Sequence, residues 1–222
     1  MKRLLDVVVL ISGRGSNLQS IIDQTQAGTL PIQIRAVISN CADAFGLGRA
    51  QAAGVPTRVL DHRQFPTRDE FDRALMALID EYSPQLVVLA GFMRILGRDF
   101  AEHYTGRLMN IHPSLLPAFP GLHTHERALK SGVAQHGASV HFVTPDLDGG
   151  PIIVQAAVPV LPGDTADRLA ERVLKEEHRI FPLAIRWFAE GRLQMRAGQV
   201  FLDGEIRAEQ GLIARPVAAG TD

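Results

Sequence analysis

Residues 4–17 read LLDVVVLISGRGSN, and this stretch indicates the class of fold. Residues 4–12 form an almost unbroken apolar run rich in valine and isoleucine, which is typical of a strand covered on both faces in a parallel sheet. A turn with two glycines follows. From residue 17 to residue 27, leucine and isoleucine recur at helical intervals until Gly28 ends the pattern. The stretch therefore predicts a strand, a turn and a helix.

The same alternation of strand and helix recurs through the first half of the chain. Further strands are predicted at residues 34–39, through Val59, at residues 85–90 and at residues 107–112. Helices are predicted at residues 46–53 and 68–82. Strands that alternate with helices in this way form a mainly parallel sheet with helices on both faces. We therefore expect a doubly wound α/β fold.

The second half of the chain has a different pattern. Strands at residues 138–143 and 152–160 are separated by a short loop, which is the spacing of a hairpin. We expect them to add an antiparallel C-terminal portion to the sheet. The segment from residue 165 to residue 190 is periodic in apolar residues, which predicts a packed helix, and it contains Pro182, which can kink a helix.

The composition is that of an ordinary globular protein, because 222 residues of which 46% are hydrophobic suffice for one buried core. We expect residues 1–215 to form a single domain and residues 216–222 a loose tail. The net charge is −1 and the basic residues are dispersed, which argues against nucleic-acid binding. A single cysteine, Cys41, excludes an intrachain disulfide. The N-terminal apolar run is too short to span a membrane, so we expect a cytoplasmic protein.

The glycine turn at residues 13–17 is the first chemical feature. Free backbone N–H groups and the helix dipole favour an anion at such a turn, so we predict a phosphate site. The alternative is that the glycines only turn the chain and that Ser16 or Asn17 caps the helix. The dinucleotide fingerprint is broken, because Leu18 stands in place of its third glycine and no acidic residue follows the second strand. A dehydrogenase is therefore disfavoured.

The second chemical feature is the sequence NIHPSLLP at residues 110–117. In a strand, residues two apart face the same side, so Asn110 and His112 would share one space while Ile111 turns into the core. An amide donor beside an imidazole suits a reaction in which a carbonyl oxygen gains negative charge. The alternative is that His112 only forms a hydrogen bond within the core.

The remaining histidines do not predict a metal site. His123, His125, His136 and His141 come without a cysteine or carboxylate pattern, and their spacing matches no familiar metal-site template. Asp148 adds a carboxylate further along the chain, although an aspartate before two glycines is also common in turns. We therefore expect no metal.

Several segments together resemble the folate-dependent phosphoribosylglycinamide formyltransferases of purine biosynthesis: LISGRGSNLQ at 10–19, AGFMRIL at 90–96, NIHPSLLP at 110–117, PGLHTH at 120–125, HFV at 141–143 and LDGGP at 147–151. The NIHPSLLP segment is shared with a wider family that includes methionyl-tRNA formyltransferase and formyltetrahydrofolate hydrolase. The glycine turn with Ser16 and Asn17 favours the ribonucleotide enzyme. We expect neither the C-terminal barrel of the tRNA enzyme nor the regulatory domain of the hydrolase.

The resemblance implies a formyltransferase-like fold and a reaction. The formyl group of 10-formyltetrahydrofolate would move to the amino group of glycinamide ribonucleotide (5-phosphoribosylglycinamide), without metal or ATP. Asn110 and a protonated His112 would stabilise the formyl oxygen, and Asp148 would stabilise the charged imidazole. Small molecules would be the partners, with no nucleic acid and no membrane, and a homodimer stays open.

The resemblance also implies two binding regions. One turn and one helix carboxylate would hold the phosphate and ribose of the ribonucleotide: Gly15, Ser16, Asn17 and Glu177. One segment after a strand would line the folate, with a helix arginine near its acidic tail: Met93, Arg94, Ile95, Leu96 and Arg68. For Glu177 and Arg68, the alternative is an ordinary solvated position on a helix.

Three other functions stay open. The first two are a 10-formyltetrahydrofolate hydrolase and a formyltransferase that uses another amine. A product assay with substituted acceptors separates these from transfer to the ribonucleotide. The third is a non-catalytic sensor of a phosphorylated ligand on the same α/β frame, which ligand binding without turnover would indicate.

Overall fold

The computed structural model describes residues 4–206 and the backbone of residues 212–214. The described strands are β1 (Leu5–Ile11), β2 (Ile32–Ser39), β3 (Thr57–Val59), β4 (Leu86–Leu89), β5 (Leu108–His112), β6 (Gln135–Phe142), β7 (Ile152–Pro159), β8 (Leu193–Arg196), β9 (Gln199–Leu202), β10 (Glu205–Ile206) and β11 (Leu212–Ala214). The predicted tail at residues 216–222 lies outside the described residues, and the single domain over residues 1–215 stays a prediction.

Eight of these strands form one sheet in the order β11-β7-β6-β5-β4-β1-β2-β3. Neighbouring strands are parallel except where β6 pairs with β5 and with β7. Within the described part of this sheet, β6 therefore runs against all the other strands. The prediction of a mostly parallel sheet with an antiparallel C-terminal portion is confirmed. Strands β8, β9 and β10 form a small antiparallel sheet that the sequence analysis did not predict.

Helices flank the large sheet. They are α1 (Ser16–Gln26), α2 (Phe45–Ala52), α3 (Arg68–Asp80), α4 (Arg98–His103), α5 (Thr124–Ser131) and α6 (Ala166–Ala189), with a 3₁₀ turn at His62–Gln64. The prediction of α1, α2, α3 and α6 is confirmed, and α6 continues through Pro182. Helices α4 and α5, which are short, were not predicted from the sequence. No helix in the described part of the chain is long and apolar enough to cross a membrane.

Strand β1 is buried on both of its faces. The side chains of residues 7–11 are all 0% exposed. Val7, Val9 and Ile11 pack into one core with α1 and α6, whereas Val8 and Leu10 pack into a second core with α3 and α4. Alternate residues of a strand point to opposite faces, so the unbroken apolar run supplies both cores.

The pairing of β6 with β7 depends on a glycine. A Cβ atom on Gly137 would lie 2.0 Å from the carbonyl oxygen of Ala156 and 2.8 Å from a methyl group of Leu115. Neither distance is sterically possible, and the nearer contact is with backbone, which has little room to move. Gly137 therefore allows the two strands and the segment around Leu115 to approach closely.

We expect Gly137→Ala to lower the free energy of unfolding by about 1–3 kcal/mol or more, as overpacking does in a well-packed core. Gly48→Ala is the control, because Gly48 is exposed in α2 and an added Cβ there meets no atom within 4 Å. It should be neutral or stabilising, by up to about 1 kcal/mol. Urea denaturation of both variants measures the difference. Equal stability of the two variants would contradict the close approach at Gly137.

Candidate active site

His112 ends β5 and is buried, with 6% of its surface exposed. Its Nε2 atom lies 3.0 Å from the carbonyl oxygen of Phe119, and its Nδ1 atom lies 3.5 Å from Oδ2 of Asp148. A carbonyl oxygen only accepts hydrogen bonds, so Nε2 carries a hydrogen and donates it. Nδ1 faces the carboxylate of Asp148, which is a hydrogen-bond acceptor.

Asp148 is held in the loop between β6 and β7. Its Oδ2 atom accepts a hydrogen bond from the Gly121 N–H at 2.8 Å, and its Oδ1 atom lies 3.8 Å from Nε2 of His141. Its φ of 51° is left-handed, a conformation that aspartate tolerates better than most residues. The carboxylate is thus fixed between two histidine rings. The structure brings Asp148 to His112, as predicted, and its catalytic role stays a prediction.

Asn110 joins the same cluster through His141. Its Nδ2 atom lies 3.1 Å from Nε2 of His141, and Nδ1 of His141 lies 2.9 Å from the carbonyl oxygen of Phe142. Nδ1 of His141 therefore carries the hydrogen, and Nε2 accepts from the Asn110 amide. Burial lowers the pKa of His141, which favours this neutral ring. The second Nδ2 hydrogen of Asn110 stays available for a ligand oxygen.

No role for His141 was predicted from the sequence. Its position is set by the antiparallel pairing of β5 with β6, in which Asn110 lies opposite His141. That register cannot be read from either strand alone. The one signal that could have placed His141 is a prediction that β6 pairs antiparallel with β5 as well as with β7.

The predicted phosphate turn lies before α1. Gly15 is the residue before the helix, has a φ of 70°, and no side chain caps the helix N-terminus. The alternative in which Ser16 or Asn17 caps the helix is therefore wrong. Helix α2 packs against the turn, because the Gly46 N–H donates to the Gly13 carbonyl at 3.0 Å. The first N–H groups of α1 are left for an anion.

Asn17 and Glu177 meet beside this turn although they are 160 residues apart. The Asn17 amide donates to Oε2 of Glu177 at 2.6 Å, and both side chains are buried. Burial raises the pKa of Glu177, and the hydrogen bond from Asn17 opposes that rise. The Oδ1 atom of Asn17 is buried and has no hydrogen-bond partner among the described residues. The structure thus joins two residues of the predicted ribonucleotide site.

The predicted folate segment follows β4. Met93 and Ile95 are exposed, whereas Arg94 and Leu96 are partly buried. The Met93 N–H donates to Oγ of Ser12 at 2.7 Å, so this main-chain group is not free to pair with a ligand. The guanidinium of Arg94 lies 6.0 Å from the centre of the Phe71 ring. The segment therefore offers apolar side chains to solvent while its Met93 N–H is bound to Ser12, directly after β1.

Arg68 lies on α3 near the end of this segment. It is half exposed, and its Nε atom is 3.6 Å from Oδ1 of Asp69. The neighbouring Asp72 is buried and accepts a hydrogen bond from the Gly97 N–H at 2.6 Å. Burial raises the pKa of Asp72. Asp72, which the sequence analysis did not consider, anchors the segment to the helix that carries Arg68.

Two of the other histidines form a pair. Nδ1 of His125 lies 3.1 Å from Nε2 of His136, and burial lowers the pKa of His136 to about 4. Burial also lowers the pKa of His125, so the pair is uncharged near neutral pH. Within residues 4–206, no group of three or more histidine, cysteine, aspartate or glutamate residues is placed to hold a metal ion. That the protein needs no metal stays a prediction.

The comparisons with known proteins agree with this arrangement. The sequence model described as "Formyl transferase" matches residues 5–185. Phosphoribosylglycinamide formyltransferase of Escherichia coli is 55% identical over 210 residues, which cover 95% of this chain and 99% of that protein. Human trifunctional purine biosynthetic protein adenosine-3 is 50% identical over 194 residues, 87% of this chain and 19% of that protein. The structure of phosphoribosylglycinamide formyltransferase from Coxiella burnetii superposes with a TM-score of 0.91 at 55% identity, covering 95% and 99% of the two chains.

We expect Gly15→Ala to weaken the binding of inorganic phosphate about tenfold or more, which corresponds to about 1.4 kcal/mol. An added Cβ on Gly15 would lie 2.6 Å from Cα of Gly46, and the φ of 70° is unfavourable for alanine. The turn must therefore shift. Calorimetric titration of phosphate measures the change, with Gly48→Ala on the same α2 as control. Unchanged affinity in Gly15→Ala would place the anion elsewhere.

Proposed function

Since the chain belongs to the formyl transferase family, we propose that it transfers the formyl group of 10-formyltetrahydrofolate to the amino group of 5-phosphoribosylglycinamide. The products are the formylated ribonucleotide and tetrahydrofolate, and the reaction is a step of purine biosynthesis. The proposal rests on one observation above all, the cluster in which two buried imidazoles meet an amide and a carboxylate. The hydrolase, the transfer to another amine and the sensor are not favoured.

The reaction exchanges one carbon–nitrogen bond for another. The substrate amine attacks the formyl carbon, a new carbon–nitrogen bond forms, and the carbonyl oxygen takes the negative charge. When the carbonyl reforms, the bond to the folate nitrogen breaks, and that nitrogen takes up the proton that the amine gives away. The protein has to stabilise the charged oxygen and provide a path for this proton.

Asn110 and His112 are placed to stabilise the oxygen. Asn110 has one N–H occupied by His141 and a second that can donate to the substrate. The His112 imidazolium has one N–H on the Phe119 carbonyl at 3.0 Å and one facing Asp148 at 3.5 Å. The longer contact is the more easily given up, so we assign the Nδ1 hydrogen to the formyl oxygen. These donors act in a buried site, where they are stronger than in water.

Asp148 keeps the ring of His112 charged. A carboxylate close to an imidazolium favours the charged form, and the Gly121 N–H fixes the carboxylate in place. The neutral His141 supports this arrangement from the other side, because a second charged imidazole would compete for the same carboxylate. Within the cluster, the Asp148 carboxylate is the anionic group that can accept the proton that leaves the amine.

The two substrates would enter from adjoining segments. We propose that the N-terminus of α1, with Gly15, Ser16 and Asn17, holds the phosphate, and that Glu177 contacts the ribose. The folate would lie along residues 93–96, with Arg68 near its acidic tail. We further propose that the enzyme works in the cytoplasm, uses no metal and no ATP, and binds small molecules rather than nucleic acid or membrane. A homodimer is compatible with this function.

A transfer assay with both substrates, and with each omitted in turn, tests the function. We expect formylated ribonucleotide and tetrahydrofolate in equal amounts, and only when both substrates are present. His112→Ala should lower kcat about 100-fold or more, the usual contribution of general acid catalysis. Formate release without an acceptor would indicate the hydrolase. Binding of both substrates without any product would indicate the sensor.

For Asp148→Asn, we expect a lower kcat and an alkaline limb of the pH–rate profile that moves to lower pH. Loss of the carboxylate leaves the imidazolium easier to deprotonate, so the active protonated form is lost earlier as the pH rises. Asp146→Asn is the control, since Asp146 is exposed in the same loop. Kinetics across the pH range measures both variants. An alkaline limb at the same pH as in the unaltered protein would show that Asp148 does not keep His112 charged.

A further inference from the structure

A row of buried polar side chains crosses the sheet behind His112. Ser139 on β6 lies opposite His112 on β5, and Gln155 on β7 lies opposite Ser139. Ser139 is 0% exposed and Gln155 is 4% exposed. A buried side-chain amide and hydroxyl cost free energy unless their hydrogen-bonding groups are satisfied. Their partners therefore show what the row does.

Those partners lie in the segment of residues 113–119 that follows His112. The Gln155 amide donates to the Leu116 carbonyl at 2.9 Å and to Oγ of Ser139 at 2.7 Å. The Ser139 hydroxyl donates to the Ser114 carbonyl at 2.6 Å and accepts from the Leu116 N–H at 3.0 Å. Both amide hydrogens and every site of the hydroxyl are thus used. The network ties two points of the segment to the sheet.

The segment in turn carries the carbonyl that holds His112. The Ser114 hydroxyl donates to the Ala118 carbonyl at 2.6 Å, and the next residue, Phe119, accepts the hydrogen bond from Nε2 of His112. Because Nε2 is held there, Nδ1 points toward Asp148. A shift of the segment by more than about 0.5 Å would spoil the geometry that a catalytic group requires.

We propose that Ser139 and Gln155 are positioning residues for His112, which they act on through residues 113–119 and the Phe119 carbonyl. The inference rests on the proposed formyl transfer, in which His112 acts as the charged donor. Neither residue touches the cluster of Asn110, His141 and Asp148 through any hydrogen bond described above. Their effect should fall on the chemical step and on the protonation of His112 rather than on substrate binding.

Gln155→Met and Ser139→Ala remove the network while keeping its approximate volume. We expect kcat to fall tenfold or more, with the KM of both substrates within threefold of the unaltered protein. The alkaline limb of the pH–rate profile should move to lower pH, because a displaced Phe119 carbonyl no longer stabilises the Nε2 hydrogen of the imidazolium. Ser139→Thr keeps a hydroxyl and should recover most of the kcat.

Ser39→Ala is the matched control. Ser39 is also a 0% exposed serine on a strand, and its hydroxyl donates to the Cys41 carbonyl at 2.8 Å, away from His112. We expect its kcat within twofold of the unaltered protein. Thermal unfolding of each variant gives the folded fraction. A merely structural loss lowers kcat in proportion to that fraction and leaves the pH–rate profile in place, which would overturn the proposal.

Two further outcomes are decisive. Folded Gln155→Met with unchanged kcat and pH–rate profile would overturn the proposal even if Ser139→Ala fails to fold. The ¹⁵N NMR chemical shifts of the His112 ring in Gln155→Met should show that the Nε2 hydrogen is no longer held in place. Shifts equal to those of the unaltered protein would also overturn the proposal. Failure of the proposed function is distinguishable, because it would appear as no transfer by the unaltered protein.

Discussion

The burial of β1 on both faces is the constraint on which the rest of the structure depends. Each of its apolar side chains contributes about 1.5–3 kcal/mol to the stability of the fold when it is buried, and successive residues pack into opposite cores. Such a strand has to lie inside a sheet, between parallel neighbours, and β1 lies between β2 and β4. The carboxyl ends of β1 and β4 then share one edge. The glycine turn and residues 93–96 are neighbours for that reason.

The cluster of Asn110, His112, His141 and Asp148 depends on a different feature, the reversed direction of β6. An antiparallel partner places His141 opposite Asn110 and Ser139 opposite His112. β6 thus supplies the His141 ring, which orients the Asn110 amide. It also supplies the Ser139 hydroxyl, which holds the segment of residues 113–119 that follows His112. The loop between β6 and β7 then returns with Asp148. A purely parallel sheet would have placed a helix where this loop passes.

The strands could be predicted from the sequence wherever one residue pattern determines them. The run at residues 4–12 and the two-residue spacing of Asn110 and His112 needed no knowledge of neighbours. His141, the Phe119 carbonyl and Asp72 could not be found in this way, because their roles come from strand register and from the path of loops. Helices α4 and α5 are too short to show a period. Glu177 was predicted as a site residue only through the resemblance, because no local pattern indicates its burial against Asn17.

The residues around Ser12 and the loop that carries Asp148 are held by different kinds of contact. The Ser12 N–H donates to the Gly91 carbonyl, and its hydroxyl accepts from the Met93 N–H and donates to Asn40. Residues 93–96 are thus held at Ser12, which lies between the end of β1 and the glycine turn. Asp148, by contrast, has a left-handed backbone and one hydrogen bond to the Gly121 N–H. Residues 93–96 are therefore held at the end of a buried strand, whereas Asp148, beside His112, is held by a contact between two loops.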